Sequence, residues 1–147
     1  TNDALVSWKK IARLTNSSHA WNTVLRIALA TGDIPSQIES YKRNLTQKWS
    51  VREFNALMAL YDQESSPQEI TSFLTNLYTR YHIPSILLAH AHYYYKHEAF
   101  QDALTTITLF NKTAARTSET IYLQARLHYI LNFLMACCSS SAMCAKC

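Results

Sequence analysis

The run Ala89-His90-Ala91-His92-Tyr93-Tyr94-Tyr95-Lys96-His97 places three imidazoles within eight residues, which raises the possibility of a metal site. On a helix His90 and His97 share a face through Tyr94, whereas His92 points away from it, so three ligands do not converge on one ion. The expected role of these histidines is packing between helices or exposure to solvent. Tyr93, Tyr94 and Tyr95 are likewise expected to be core and interface residues rather than a platform for stacking bases. Cys137, Cys138, Cys144 and Cys147 could supply up to four thiolates to zinc or an iron-sulfur cluster. They lack a second close Cys or His pair, and they read instead as part of a Ser-rich tail over 137–147 with no structural duty. No Ser, His and Asp set has a recognisable context, and no pair of carboxylates is placed by a motif. The expectation is therefore no catalytic residue, no metal, no cofactor and no small-molecule substrate: the chain is not read as an enzyme.

Composition narrows the field in the same direction. Gly32 is the single glycine among 147 residues. A P-loop, a dinucleotide fingerprint and a nucleophile elbow each need two or more glycines where the backbone nears phosphate or turns sharply, so these classes are excluded. Few turn formers and long periodic segments argue against short-stranded sandwiches and barrels. The longest apolar run, Tyr129 to Cys138, is well short of the roughly 18 residues a bilayer crossing needs, and no membrane partner is expected. All four cysteines lie near one end, which fits a reducing compartment better than a disulfide-stapled fold.

Charge is unevenly distributed. Lys9, Lys10, Arg13, Arg26, Lys42, Arg43, Lys48 and Arg52 face only Asp3, Asp33 and Glu39 over residues 1–52, and the sign reverses over 53–119. A basic half suits phosphate, whose condensed counterions are released on neutralisation, or an acidic protein surface; the plain alternative is an ordinary solvated face.

The elements that must position these residues are helices. Apolar spacing predicts them at about 3–14, 19–31, 34–48, 51–62, 66–82, 84–96, 98–113 and 118–138. The clearest is 66–82, where Ile70, Phe73, Leu74, Leu77, Tyr78 and Tyr81 recur at steps of three and four. Ser66 is its expected N-cap, Pro67 its first helical residue, and Glu69 the partner that closes a capping box. Trp21, Phe54, Leu87 and Ile121 open alternate helices at steps of 33, 33 and 34, Tyr41, Leu74 and Ile107 repeat at 33, and Ala91 is matched by Ala125 at 34. Such a period marks stacked helical hairpins, none of which buries its apolar face alone. The expected fold is all-α, a right-handed α-solenoid of about three helix-turn-helix repeats (hairpins at 19–48, 51–82 and 84–113, partial units at 3–14 and 118–136) forming one repeat domain over 1–136. A compact helical bundle is the alternative.

Trp21-Asn22-Thr23-Val24-Leu25, then Gly32-Asp33-Ile34 and a second helix ending near Tyr41 to Leu45, resembles the pentatricopeptide repeat, whose first helix opens Tyr-Asn-Thr-Leu-Ile. Phe54-Asn55-Ala56-Leu57-Met58 repeats that opening, Asp3 to Ile11 looks like the second helix of a preceding unit, and Tyr81-His82-Ile83-Pro84-Ser85 looks like the family's proline-bearing junction. The unit Ala89 to Phe110, with Phe100, Ala103 and Leu104, fits the tetratricopeptide pattern at least as well. The resemblance implies binding: a non-catalytic component of an organellar ribonucleoprotein, with a mitochondrial ribosome or RNA-processing assembly as the expected setting, and RNA backbone and neighbouring proteins as partners. In the family, the fifth residue of the first helix takes part in base reading. That role falls on Thr23, which suits it, and on Ala56 and Ala89, which lack the groups for it. Near Ser50, Val51, Pro84 and Ser85 the Asp or Asn expected at the unit's closing position is missing, so backbone contact is expected rather than base readout. The contact set is Lys9, Lys10, Arg13, Thr23, Arg26, Lys42, Arg43, Lys48 and Arg52. The alternative is a tetratricopeptide-type adaptor that binds a peptide or partner helix without nucleic acid.

Overall fold

The computed structural model describes residues 2–64 and 66–139. Described residues are all-helical, with no strand, in the order α1 (Asn2–Thr15), α2 (Ser18–Thr31), α3 (Ile34–Gln47), α4 (Val51–Glu64), α5 (Pro67–Tyr81), α6 (Pro84–Lys96), α7 (Phe100–Thr113) and α8 (Ser118–Ser139). The chain divides into two compact units, Thr1–Phe73 and Leu74–Cys147.

In the first unit α1 packs on α2, α2 on α3 and α3 on α4. Ala12, Ala20 and Ala28 are buried beside Leu5, Trp21 and Val24, and these small side chains let the helices approach around the large indole. α2 ends at Gly32, whose φ of 70° is the left-handed conformation that glycine adopts without a Cβ penalty. The freed carbonyl of Ala28 accepts from the N–H of Asp33 at 3.0 Å and from Gln37 Nε2 at 3.1 Å, which fixes the turn into α3. α3 buries an unusually polar face of Ser36, Gln37, Ser40 and Asn44 beside Ile38, Tyr41 and Leu45. Their donors find partners: Ser40 donates to the Ser36 carbonyl at 2.8 Å, and Asn44 Nδ2 donates to Asn22 Oδ1 at 2.7 Å, while the buried Asn44 Oδ1 has none.

In the second unit α6 packs on α7 and α7 on α8. Leu87, Ala91, Ala103, Ile107, Phe110, Leu123 and Leu127 form its core. A reciprocal capping box starts α8: the Thr120 N–H donates to Thr117 Oγ1 at 3.3 Å while the Thr117 N–H donates to Thr120 Oγ1 at 3.0 Å. α8 continues through Cys137, which is buried, and the exposed Cys138 to Ser139, so these residues are helical rather than tail. Cys144 and Cys147 lie outside the described residues.

Burial refines the repeat register. Trp21, Phe54, Leu87 and Thr120 are buried at a constant step of 33, followed by Val24, Leu57, His90 and Leu123 at the same step. Ile121, expected as the fourth opening residue, is 51% exposed and Thr120 is 1% exposed. Ala125 is exposed as well, so the step of 34 is replaced by 33. The capping box is the reason, because it satisfies the Thr120 hydroxyl and lets a polar side chain take the inward position.

Candidate binding surface

The residues expected to meet phosphate separate into two groups. Three are committed to the fold. Lys9 on α1 donates to Ser36 Oγ of α3 at 3.0 Å and lies 3.3 Å from Glu39 Oε2. Arg13 reaches the same carboxylate with a bidentate fork, Nε to Oε1 and Nη2 to Oε2, both 2.9 Å. Burial works against ionising Glu39, but the Arg13 fork and the Lys9 charge outweigh it and hold the carboxyl below its usual range.

Lys42 on α3 repeats this device one register later. Its Nζ donates to Glu69 Oε1 on α5 at 2.8 Å and lies 5.5 Å from the ring centroids of both Tyr61 and Phe73. Desolvation alone lowers the Lys42 pKa, but its partners Glu69 and Tyr61 prevail and raise it. Ser66 does cap α5, accepting the Glu69 N–H at 3.3 Å, while the Glu69 carboxylate, expected to close the capping box, reaches across to Lys42. Lys9 and Lys42 are 33 residues apart, as are their acceptors Ser36 and Glu69. The two contacts thus recur at the 33-residue step.

Lys10, Arg26, Arg43, Lys48 and Arg52 form the second group. All five are exposed and form no ion pair among the described residues. Arg43 lies over the buried Trp21 ring at 5.8 Å, an orientation that holds the guanidinium at the surface. Thr23 is buried and donates its hydroxyl to the His19 carbonyl at 3.0 Å, so the residue expected to face a base has its donor committed inside the first unit.

Beside the Lys42–Glu69 pair lies an open cleft of about 470 Å³, with Ile38 and Phe73 as its floor and Glu39, Lys42, Arg43 and Glu69 at its rim. Outward-facing apolar side chains stand elsewhere, on α1 (Val6 and Leu14) and on α8 (Tyr122, Tyr129, Phe133 and Met135).

The histidines are placed separately. His90 is buried and stacks on Tyr94 with ring centroids 4.4 Å apart, His92 lies 3.4 Å from Glu119 of α8, and His97 is exposed beside Tyr93. The acidic partners Glu39 and Glu69 were not among the expected site residues. For Glu69 the signal was the 33-residue step linking Lys9 to Lys42 and Ser36 to Glu69, a step that does not point to Glu39. No protein family, curated protein or solved structure matches this chain.

Proposed function

We propose that the chain is a non-catalytic helical-repeat module, built as an α-solenoid of pentatricopeptide-like hairpins, that contacts RNA backbone and neighbouring proteins within an organellar ribonucleoprotein such as a mitochondrial ribosome or RNA-processing assembly. The observation that carries the RNA contact is the set of five exposed cations, Lys10, Arg26, Arg43, Lys48 and Arg52, left after Lys9, Arg13 and Lys42 are neutralised within the fold. Such cations suit phosphate, which needs charge and reach but no base-specific geometry. The buried Thr23 hydroxyl agrees with backbone contact rather than base readout. The outward apolar residues of α1 and α8 suit protein neighbours.

Fluorescence anisotropy with single-stranded RNA over a salt series tests this reading. Five phosphate contacts give a log-log slope of about −3.5, and Arg43→Glu with Lys48→Glu flattens it to about −2. RNA binding that is absent at low salt, or that the double variant leaves unchanged, refutes the RNA part. A second reading, a tetratricopeptide-type adaptor, draws on the cleft beside Lys42, whose apolar floor and rim of both signs suit a peptide side chain. Peptide binding insensitive to salt, with no retention of RNA, would favour it.

A further inference from the structure

The repeat register exposes a replacement in the second unit. Lys9 reaches Ser36, and Lys42 reaches Glu69 over the face of Tyr61. One step of 33 further on, the lysine position is Thr75, the acceptor position is Asp102 and the ring position is Tyr94. The acid and the aromatic face are kept, and the cation is not. Thr75, Tyr78, His90, Tyr94 and Asp102 line one cavity of about 310 Å³, completed by Leu87, Thr105, Thr106 and Leu109. This volume lies at the small end of ligand pockets and suits a slender group.

The wall of the cavity holds a second anomaly. His90 occupies the register of Val24, Leu57 and Leu123, all buried aliphatics. It is only 6% exposed, and its Nε2 has no hydrogen-bond partner. Trp21 Nε1, Asn44 Oδ1, Tyr61 Oη and Asn111 Oδ1 are buried without a partner as well, so what sets His90 apart is its place: a polar ring in an aliphatic register, in the wall of a cavity that also holds Asp102. Desolvation lowers the His90 pKa to about 4 against the opposing pull of Asp102, which keeps the ring neutral near neutral pH. The Asp102 carboxylate makes no hydrogen bond or ion pair among the described residues.

We infer that this cavity is a receptor for a primary alkylammonium group, which takes the place that Lys42 fills one 33-residue step earlier: Asp102 supplies the opposite charge and Tyr94, stacked on the buried His90, the ring. The group is either a free alkylamine or the side chain of a lysine on a partner. The inference does not depend on the RNA reading.

The test is titration of the protein with n-butylammonium, followed through the ring signals of His90 and the side-chain carboxyl of Asp102 by NMR. Saturable shifts are expected with butylammonium and not with 1-butanol. Asp102→Asn, a change at an exposed position, should weaken binding about ten-fold, as loss of a charge-assisted hydrogen bond does. Thr75→Lys should abolish binding by placing the protein's own ammonium in the cavity. Comparison with a short blocked peptide carrying one lysine assigns the source: tighter binding of the peptide supports a partner's side chain, and tighter binding of the free amine supports a small molecule. Equal shifts from butanol, absence of saturable shifts, or unchanged binding in Asp102→Asn overturns the inference even if Thr75→Lys does not fold.

Discussion

Replacing Lys42 by Met keeps most of the methylene stem packed in the first unit and removes only the ammonium. The lysine side chain is 27% exposed and Glu69 is 51% exposed, so the ion pair is partly screened and contributes at the upper end of the surface range, about 1 kcal/mol. The Tyr61 and Phe73 rings, each 5.5 Å from the ammonium, add about 1 kcal/mol at a site partly removed from water. Lys42→Met should therefore cost about 2 kcal/mol, seen as a lower denaturant midpoint and a Tm reduced by roughly 4–8 °C if the described chain unfolds as one. A double-mutant cycle with Glu69→Gln separates the terms: about 1 kcal/mol of coupling belongs to the ion pair, and the remainder persists in the Glu69→Gln background. The sign with pH follows from the raised Lys42 pKa. The stabilisation is complete below the unfolded lysine pKa and is lost as pH rises through the folded value, so the gap between wild type and Lys42→Met should close in strong alkali. A coupling indistinguishable from zero, with a total cost below about 0.5 kcal/mol, would refute this account of the pair.

Two further predictions concern folding. The His90 pKa falls from 6.5 to about 4 on folding, so the unfolded chain binds the proton more readily; its contribution to stability is complete above pH 6.5 and is lost as the pH falls towards 4. Urea midpoints across that window should decline with a slope approaching about 1 kcal/mol per pH unit, and His90→Leu should flatten the decline; identical slopes would show that His90 does not titrate as a buried group. At the helix ends, Gly32→Ala should cost about 1 kcal/mol from backbone strain alone, since an added Cβ there meets nothing within 4 Å. Glu98→Gly, at a φ of 60°, should recover a comparable amount, and denaturant midpoints of the two variants moving in the same direction would contradict the strain argument.

The helices were legible because their inward stripes repeat at the helical period. Residues 66–82 emerge as Pro67–Tyr81, and 3–14 as Asn2–Thr15. Boundaries drifted where a left-handed residue other than glycine ends an element: Glu98 adopts a φ of 60°, so α7 begins at Phe100 rather than near 98. Ser36, Gln37, Ser40 and Asn44 left no apolar trace although they are buried, because hydrogen bonds compensate their burial rather than hydrophobicity driving it. The same blindness moved the fourth repeat opening to Ile121, since a search for apolar residues passes over Thr120.

The polar side chains carry more of the functional argument than the stripe does. A hydrophobic register says which faces must be covered, and Trp21, Phe54 and Leu87 fill that requirement interchangeably. The positions that break the register are different. Lys42 among aromatic rings is explained by Glu69, and Thr120 at an inward position is explained by Thr117. His90 at an aliphatic position has no such partner in the chain. His90 differs from the other buried atoms without a partner in lining a cavity with Asp102, a carboxylate that forms no ion pair among the described residues, so a group from outside has most to contribute there. For that reason the cavity lined by His90 and Asp102 is a sharper target for substitution than the larger cleft beside Lys42, where the lysine and Glu69 already pair with each other.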